Sequence, residues 1–194
     1  MWLIVNAGSS SLKLKVFEGE QEVAKASVAE IGADGHRAAL AAGLAQVAVP
    51  VGRLTAAAHR VVHGGTALTD PCRVTPEVMA AIEACVPLAP LHNPGNLAGI
   101  RALAALRPGL PQFASFDTAF HKTNPETAVT YALPEAERAL GLRRYGFHGI
   151  SYAALVHGLA LRGPLPRRLL ACHLGNGASL CAIRDGQSVA TTLG

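Results

Sequence analysis

The sequence predicts a mixed α/β fold: a complete first domain over residues 1–150, then a linker and the opening strand–turn–strand of a second, duplicated domain over 151–194. Three observations carry this. Near the start, the strand-like run Leu3-Ile4-Val5 breaks into Asn6-Ala7-Gly8-Ser9-Ser10-Ser11, resumes from Leu12 to Phe17 and turns at Glu18-Gly19. Near the end, Leu169-Leu170-Ala171-Cys172 breaks into His173-Leu174-Gly175-Asn176-Gly177-Ala178-Ser179, resumes from Leu180 to Ile183 and turns at Asp185-Gly186. Between the two, helical and strand-like apolar runs alternate, which places helices on the faces of a sheet. A Gly/Ser/Asn turn between strands offers backbone N–H groups that suit phosphate oxygens, and two copies point to a duplicated fold holding one phosphorylated ligand between its halves.

Taken in order, residues 2–5, 12–17 and 22–29 read as an antiparallel meander. The Ala/Leu-rich stretch from His36 to Val49 reads as a helix that ends before Pro50. Thr55 to Val62 is a buried strand ending at His63-Gly64-Gly65. Thr75-Pro76-Glu77 is an N-cap, a first-turn proline and an acid, and Val78, Ile82 and Val86 follow at helical spacing. Asn93-Pro94 opens another helix with Leu97, Ile100 and Ala104 inward, ended by Arg107-Pro108-Gly109. Gln112 to Phe116 is a short strand that delivers Asp117, and Glu135 to Leu140 is a short helix closed by Gly141. The Gly- and Pro-rich residues from Arg138 to Pro166 read as the inter-domain region, and the strand pattern begins again at Arg167.

Composition limits the function classes. Half of the 194 residues are hydrophobic and 15% are charged, so a core is readily buried. Seventeen basic and 13 acidic residues give +4, scattered without a basic stripe interleaved with aromatics. Nucleic acid is therefore a poor partner, while an anionic small substrate suits the balance. Cys72, Cys85, Cys172 and Cys181 include no Cys-x-x-Cys pair and sit in apolar settings, which predicts buried reduced thiols and a cytoplasmic protein. The expected absence of a secretory signal follows from a start without a basic region before Leu3. The longest weakly polar stretch, Ala38 to Gly52, is too short to span a bilayer, so no membrane partner is expected.

Polar residues stand at the ends of apolar runs, where open α/β sheets place their sites: Asn6, His59-Arg60, His92, Asp117, His148 and His173. Arg60 lies inside an otherwise Ala/Val strand and needs an anion. That anion is either a structural acid such as Asp117 or a substrate carboxylate, which a planar guanidinium binds well and which we favour. His59 and His63 are four apart but lack the helix and intervening Glu of a metal motif, and read as structural. His92 precedes a helix start and is equally readable as an anion-binding imidazole or as a capping or core histidine. Asp117 at a strand end suits Mg²⁺ or general-base chemistry, against the plainer role of a turn or N-cap aspartate. His121 reads as structural. The glycines flanking His148 let backbone pass close to a ligand.

Six segments, in order along almost the whole chain, together carry a close resemblance. They are Asn6-Ala7-Gly8-Ser9-Ser10-Ser11-Leu12-Lys13, His59-Arg60-Val61-Val62-His63-Gly64-Gly65, Leu88-Ala89-Pro90-Leu91-His92-Asn93-Pro94, Phe116-Asp117-Thr118-Ala119-Phe120-His121, Arg144-Tyr145-Gly146-Phe147-His148-Gly149 and Cys172-His173-Leu174-Gly175-Asn176-Gly177-Ala178-Ser179. The pattern resembles the N-terminal half of the acetokinase family, in the superfamily of acetate and sugar kinases, heat-shock proteins and actin. The resemblance implies a ribonuclease-H-like, actin-like ATPase domain with a mixed sheet.

It further implies a kinase that makes acetyl phosphate and ADP from acetate and ATP, with Mg²⁺ or Mn²⁺ as cofactor and a homodimer in the full-length protein. By the same resemblance Asp117, His148 and Arg60 are catalytic. Arg60, Val62, Leu91, His92 and Phe147 bind substrate. Ser9, Ser11, Lys13, His173, Leu174, Gly175, Asn176 and Gly177 bind nucleotide, and Asn6 lies at the metal. The first turn is not a Walker A loop, because the second Gly is missing and Leu14 follows Lys13. The family's second catalytic arginine, Mg²⁺-binding glutamate and adenosine pocket are expected beyond Gly194, so this chain alone is expected to turn over weakly or not at all. Three departures stand out: Ile150-Ser151-Tyr152 where the family often has Thr-Ser-His, Ala190 in place of an Asp, and a short stretch between Lys13 and Arg60. The alternatives are a propionate or butyrate kinase, or a non-catalytic fragment that binds carboxylate or phosphate.

Overall fold

The computed structural model describes residues 1–32 and 35–194. The chain forms two compact units, Met1–Phe116 and Asp117–Gly194. In the first, β1 (Trp2–Ala7), β2 (Ser11–Glu18) and β3 (Gln21–Ala29) make the antiparallel meander. β4 (Ala56–Val61) pairs parallel with β1. The two-residue β5 (Cys72–Arg73) pairs antiparallel with β6 (Gln112–Phe116), which itself runs parallel to β4. The mixed sheet therefore has the order β3-β2-β1-β4-β6-β5.

The period-two pattern of the sequence decides which face is buried. Leu3, Val5 and Ala7 of β1 and Leu12, Leu14 and Val16 of β2 point to one side and are almost fully buried. Over them lie α1 (His36–Gln46), through Leu40 and Leu44, and α3 (Asn93–Leu106), through Ala102 and Leu103. Each fully buried Leu of this kind contributes about 1.5–3 kcal/mol of transfer free energy. α2 (Pro76–Ala84) starts as expected, Thr75 Oγ1 accepting from the Val78 N–H at 3.3 Å.

Four local expectations shift. α1 stops at Gln46 rather than Val49, because Val47 caps it and Ala48 takes a left-handed φ of 50°. α3 turns Leu103 rather than Ala104 into the core. Val86 belongs to a separate 3₁₀ turn, Val86–Leu88, and the short edge strand β5 had no sequence signal. Cys172 is exposed, since it lies on the outward side of its strand, although all four cysteines are free thiols.

The second unit begins with a 3₁₀ turn, Ala119–Thr123, and two single-turn helices, α4 (Glu126–Val129) and α5 (Glu135–Arg138). A longer helix, α6 (Gly149–Ala160), precedes the antiparallel meander β7 (Arg168–Leu174), β8 (Ala178–Arg184) and β9 (Gln187–Thr191). Its core joins Tyr152, Ala171, Cys181 and Ile183 to Phe120, Val156 and Leu169. α6 lies inside the stretch that reads as inter-domain region. Gly149 and Gly158 lower its intrinsic helicity, and packing of Tyr152 and Val156 overrides that. The break between compact units falls after Phe116, ahead of the 150/151 position, because the turn at 119–123 and α6 pack with the second meander. Among the described residues no helix is long and apolar enough to cross a membrane.

Candidate functional site

In the first unit the polar residues converge at the carboxyl ends of β1 and β4. Asn6 pairs across the ladder with Lys13, and Arg60 with Ser115, so these side chains lie on the sheet face opposite the α1–α3 core. Arg60 donates from Nη1 to Asn6 Oδ1 at 3.3 Å. Lys13, on the strand at the other side of Asn6, is exposed.

That turn, Gly8–Ser11, is held by its neighbours rather than by a ligand. The Gly8 N–H donates to Ser11 O at 2.7 Å and the Ile31 N–H to Ser10 O at 3.1 Å. His36 Nε2, at the start of α1, bonds Gly8 O at 2.8 Å. α3 lies flush on the turn, because a side chain at Gly95 would place its Cβ 2.7 Å from Gly8 O. Ser9 is exposed and Ser11 half-buried, leaving both hydroxyls at the surface.

Two residues outside the sequence-predicted site, Asn93 of the helix-start signal and Asn96 one turn on, join the ends of these strands. Asn96 accepts from the Val62 N–H at 2.9 Å and donates to Ala7 O at 2.6 Å, tying β4 to β1. Asn93 accepts from the His63 N–H at 3.1 Å and donates to His63 O at 3.0 Å and Ile82 O at 3.3 Å. The readable signal was their i, i+3 spacing on the face of α3 that also carries Leu97 and Ile100.

The histidines separate by environment. His59 Nε2 donates to Gln112 Oε1 at 2.7 Å, and burial pushes its pKa down to about 4. His63 Nδ1 accepts from the Gly65 N–H at 2.9 Å, and burial lowers its pKa too. Both are neutral structural groups. His92 occupies the N-cap position of α3 without a side-chain capping bond and is exposed, which excludes the core reading. Leu91 is 74% exposed, whereas Val62 is buried.

In the second unit Asp117 is 2% exposed, and its carbonyl accepts from the Gly149 N–H at 2.8 Å. His121 Nε2 donates to Phe147 O at 2.9 Å, and its Nδ1 meets Ser188 Oγ at 2.8 Å. Burial lowers the His121 pKa, only partly offset by the Phe147 carbonyl. These bonds fix the backbone on both sides of His148, which adopts a left-handed φ of 60° at the N-cap of α6. The His148 ring stacks on His173 with centroids 4.0 Å apart and planes at 20°. Each Nδ1 is tied to a hydroxyl: His148 to Ser179 Oγ at 2.9 Å, His173 to Ser151 Oγ at 3.1 Å. Both Nε2 atoms border the Gly175–Gly177 turn, lying 3.3 Å (His173) and 3.5 Å (His148) from where Cβ atoms on those glycines would sit. Leu174, Gly175, Asn176 and Gly177 are open to solvent and Phe147 is half-buried. Each unit thus presents a glycine turn beside cationic or titratable side chains, an arrangement suited to anions.

Comparison with known proteins gives one consistent result. Residues 36–194 match the model of the acetokinase family. The chain is 44% identical over 223 aligned residues to an acetate kinase of Deinococcus radiodurans, covering 100% of this chain and 56% of that protein. The fold matches a crystal structure of Porphyromonas gingivalis acetate kinase with TM-score 0.92 at 34% identity, over all of this chain and 57% of that one. It also matches a propionate kinase from Francisella tularensis with TM-score 0.87 at 31% identity, over 100% and 57% of the two chains. The chain spans about half the length of the relatives it matches. The fold of these neighbours is the actin-like ATPase fold.

Proposed function

The chain belongs to the acetokinase family, and from that premise we propose that it supplies the carboxylate site and two phosphate turns of an ATP-dependent acyl kinase. A carboxylate oxygen attacks the γ-phosphorus of ATP, the bond from that phosphorus to the bridging oxygen breaks, and ADP leaves with acyl phosphate as the other product. Such transfer is won by positioning and charge stabilisation rather than by covalent chemistry.

The observation that carries this reading is the row Lys13–Asn6–Arg60 across the sheet, with Arg60 bonded to the residue just ahead of the turn that follows β1. Arg60 binds the carboxylate in a fork and orients one oxygen for attack. Ser9, Ser11 and Lys13 hold phosphate oxygens at the first turn, and the His173–Gly177 segment does so at the second. His148 presents Nε2 to the phosphoryl group in transfer. Val62, Leu91, His92 and Phe147 border the acyl group.

Mg²⁺ takes one or two protein carboxylates and fills its remaining positions with phosphate and water. A single buried carboxylate, Asp117, fits that need. Among the described residues no cluster of three His, Cys, Asp or Glu forms a protein cage for a metal. Asp117 would hold the ion, and the chemistry it supplies when bound is charge neutralisation on the phosphates.

Acetate is the substrate we favour, and propionate is the second reading because a propionate kinase shares the fold at TM-score 0.87. The activity belongs to the whole protein, a cytoplasmic homodimer in this reading. The test is an ATP-dependent acyl-hydroxamate assay with acetate, propionate and butyrate, on this chain and on any longer product of its gene. Acyl phosphate from the longer product, with little from the 194 residues alone, is expected. None from the longer product overturns the reading.

A further inference from the structure

Tyr152 and Ser179 enter none of the roles above, yet they close a hydrogen-bonded ring behind His148. Tyr152 is 1% exposed and Ser179 3%. Tyr152 Oη donates to the Ser179 carbonyl at 2.9 Å and lies 2.6 Å from Ser179 Oγ. Ser179 Oγ in turn lies 2.9 Å from His148 Nδ1.

A phenol has one proton, and in the arrangement that keeps the bond to the Ser179 carbonyl that proton goes to a group that can only accept. The short contact to Ser179 Oγ is then made by the serine proton, which points at Tyr152 Oη. With its proton spent, Ser179 Oγ can offer His148 only a lone pair. His148 Nδ1 must therefore carry a hydrogen. The opposite assignment, with the serine proton on His148 Nδ1, turns the phenol proton onto Ser179 Oγ and takes it from the carbonyl. His173 has no such ring, since its Nδ1 meets the hydroxyl of Ser151 alone among the described contacts.

We propose that Tyr152 and Ser179 are positioning residues that lock the neutral His148 ring in the Nδ1–H tautomer. Nε2, on the side of the Gly175–Gly177 turn, is then the one ring nitrogen that exchanges a proton. The lock decides when His148 can donate toward an anion: Nε2 donates in the imidazolium and not in the neutral ring. The kinetic meaning of this rests on the acyl-kinase reading; the tautomer itself does not.

The experiment is long-range ¹H–¹⁵N correlation NMR on the 194-residue chain with ¹⁵N-labelled histidine, at a pH where His148 is neutral. Wild type is expected to show a protonated Nδ1 and a bare Nε2 at His148. Tyr152→Phe keeps the buried ring, frees the serine proton and is expected to shift both nitrogens toward averaged positions. Ser179→Ala shifts them further, with His173 unchanged in both. A wild-type His148 protonated on Nε2, or a tautomer unmoved by both variants, overturns the lock. In a longer gene product that forms acyl phosphate, Tyr152→Phe is expected to raise kcat at a pH where His148 is neutral, since Nε2 of the neutral ring then also carries a hydrogen part of the time, with KM for the carboxylate unchanged. Unchanged kcat beside a shifted tautomer overturns the positioning role. Absence of any acyl phosphate fails the kinase reading and leaves the NMR result to stand by itself.

Discussion

Replacing Asn96 with alanine tests how the turn after β1 is held. Asn96 is 3% exposed and spends its amide on two backbone groups of different strands, the Val62 N–H at 2.9 Å and Ala7 O at 2.6 Å. Alanine strands both, since Ala7 is 2% and Val62 6% exposed. An unsatisfied buried donor or acceptor costs about 1–3 kcal/mol, so the two together cost about 2–6 kcal/mol. Water entering the vacated volume recovers part of that, which puts the expected loss near 3 kcal/mol. For a chain of this size each kcal/mol moves Tm by about 2–4 °C, so the melt should fall by about 6–12 °C. Urea unfolding gives the free energy, and amide exchange gives its location: the Val62 N–H should lose protection beyond the global loss. A loss under about 1 kcal/mol with the Val62 amide still protected would refute the argument that Asn96 joins β4 to β1.

Three further outcomes are expected. His59 has its pKa lowered from 6.5 to about 4, so the folded state binds fewer protons than the unfolded one below pH 6.5. Stability is then full above pH 6.5 and is lost as pH falls toward 4, by about 3 kcal/mol from this group; His59→Gln should flatten that slope in urea midpoints measured across the window. Gly95→Ala forces a Cβ to within 2.7 Å of Gly8 O, backbone against backbone, and should cost about 1–3 kcal/mol in a thermal melt. Arg60→Ala, in a gene product that forms acyl phosphate, should lower kcat/KM for the carboxylate about 10- to 100-fold and leave the KM for ATP unchanged; equal loss for both substrates would count against carboxylate binding.

What could be read in advance depended on whether a residue's local pattern was unusual for its setting. Arg60 stood out because a guanidinium inside an Ala/Val strand calls for an anion, whereas Asn6 Oδ1, to which it donates, belongs to a neutral amide. The meander was legible because its apolar residues alternate with period two between turn residues. α6 was not, because Gly149, Gly158 and the surrounding prolines imitate a linker, and the helix owes its place to Tyr152 and Val156 packing on the meander. Asn93 and Asn96 were hidden for a different reason. Polar residues in a first helical turn ordinarily serve that helix, and here both amides serve other segments 11 to 89 residues away. Tyr152 registered only as a departure from a family pattern, since a tyrosine in sequence gives no sign of where its hydroxyl goes.

The two strand–turn–strand copies show why a shared pattern does not mean a shared means of support. The turn after β1 is fixed through its carbonyls, held by His36 Nε2, the Ile31 N–H and the flush approach of Gly95. The Gly8 N–H is spent on Ser11 O, which leaves the serine side chains facing outward. The turn after β7 has exposed residues from Leu174 to Ala178 and is bordered by imidazoles instead, His173 from its own strand and His148 from the start of α6. At the first turn the imidazole of His36 has its Nε2 spent on a turn carbonyl. At the second, two stacked imidazoles each tie Nδ1 to a serine hydroxyl and turn Nε2 toward the glycines. If each copy holds phosphate oxygens, the first does so beside Lys13 and the second beside His148 and His173. The difference between the two copies thus lies in the segments packed around each turn rather than in the turns themselves.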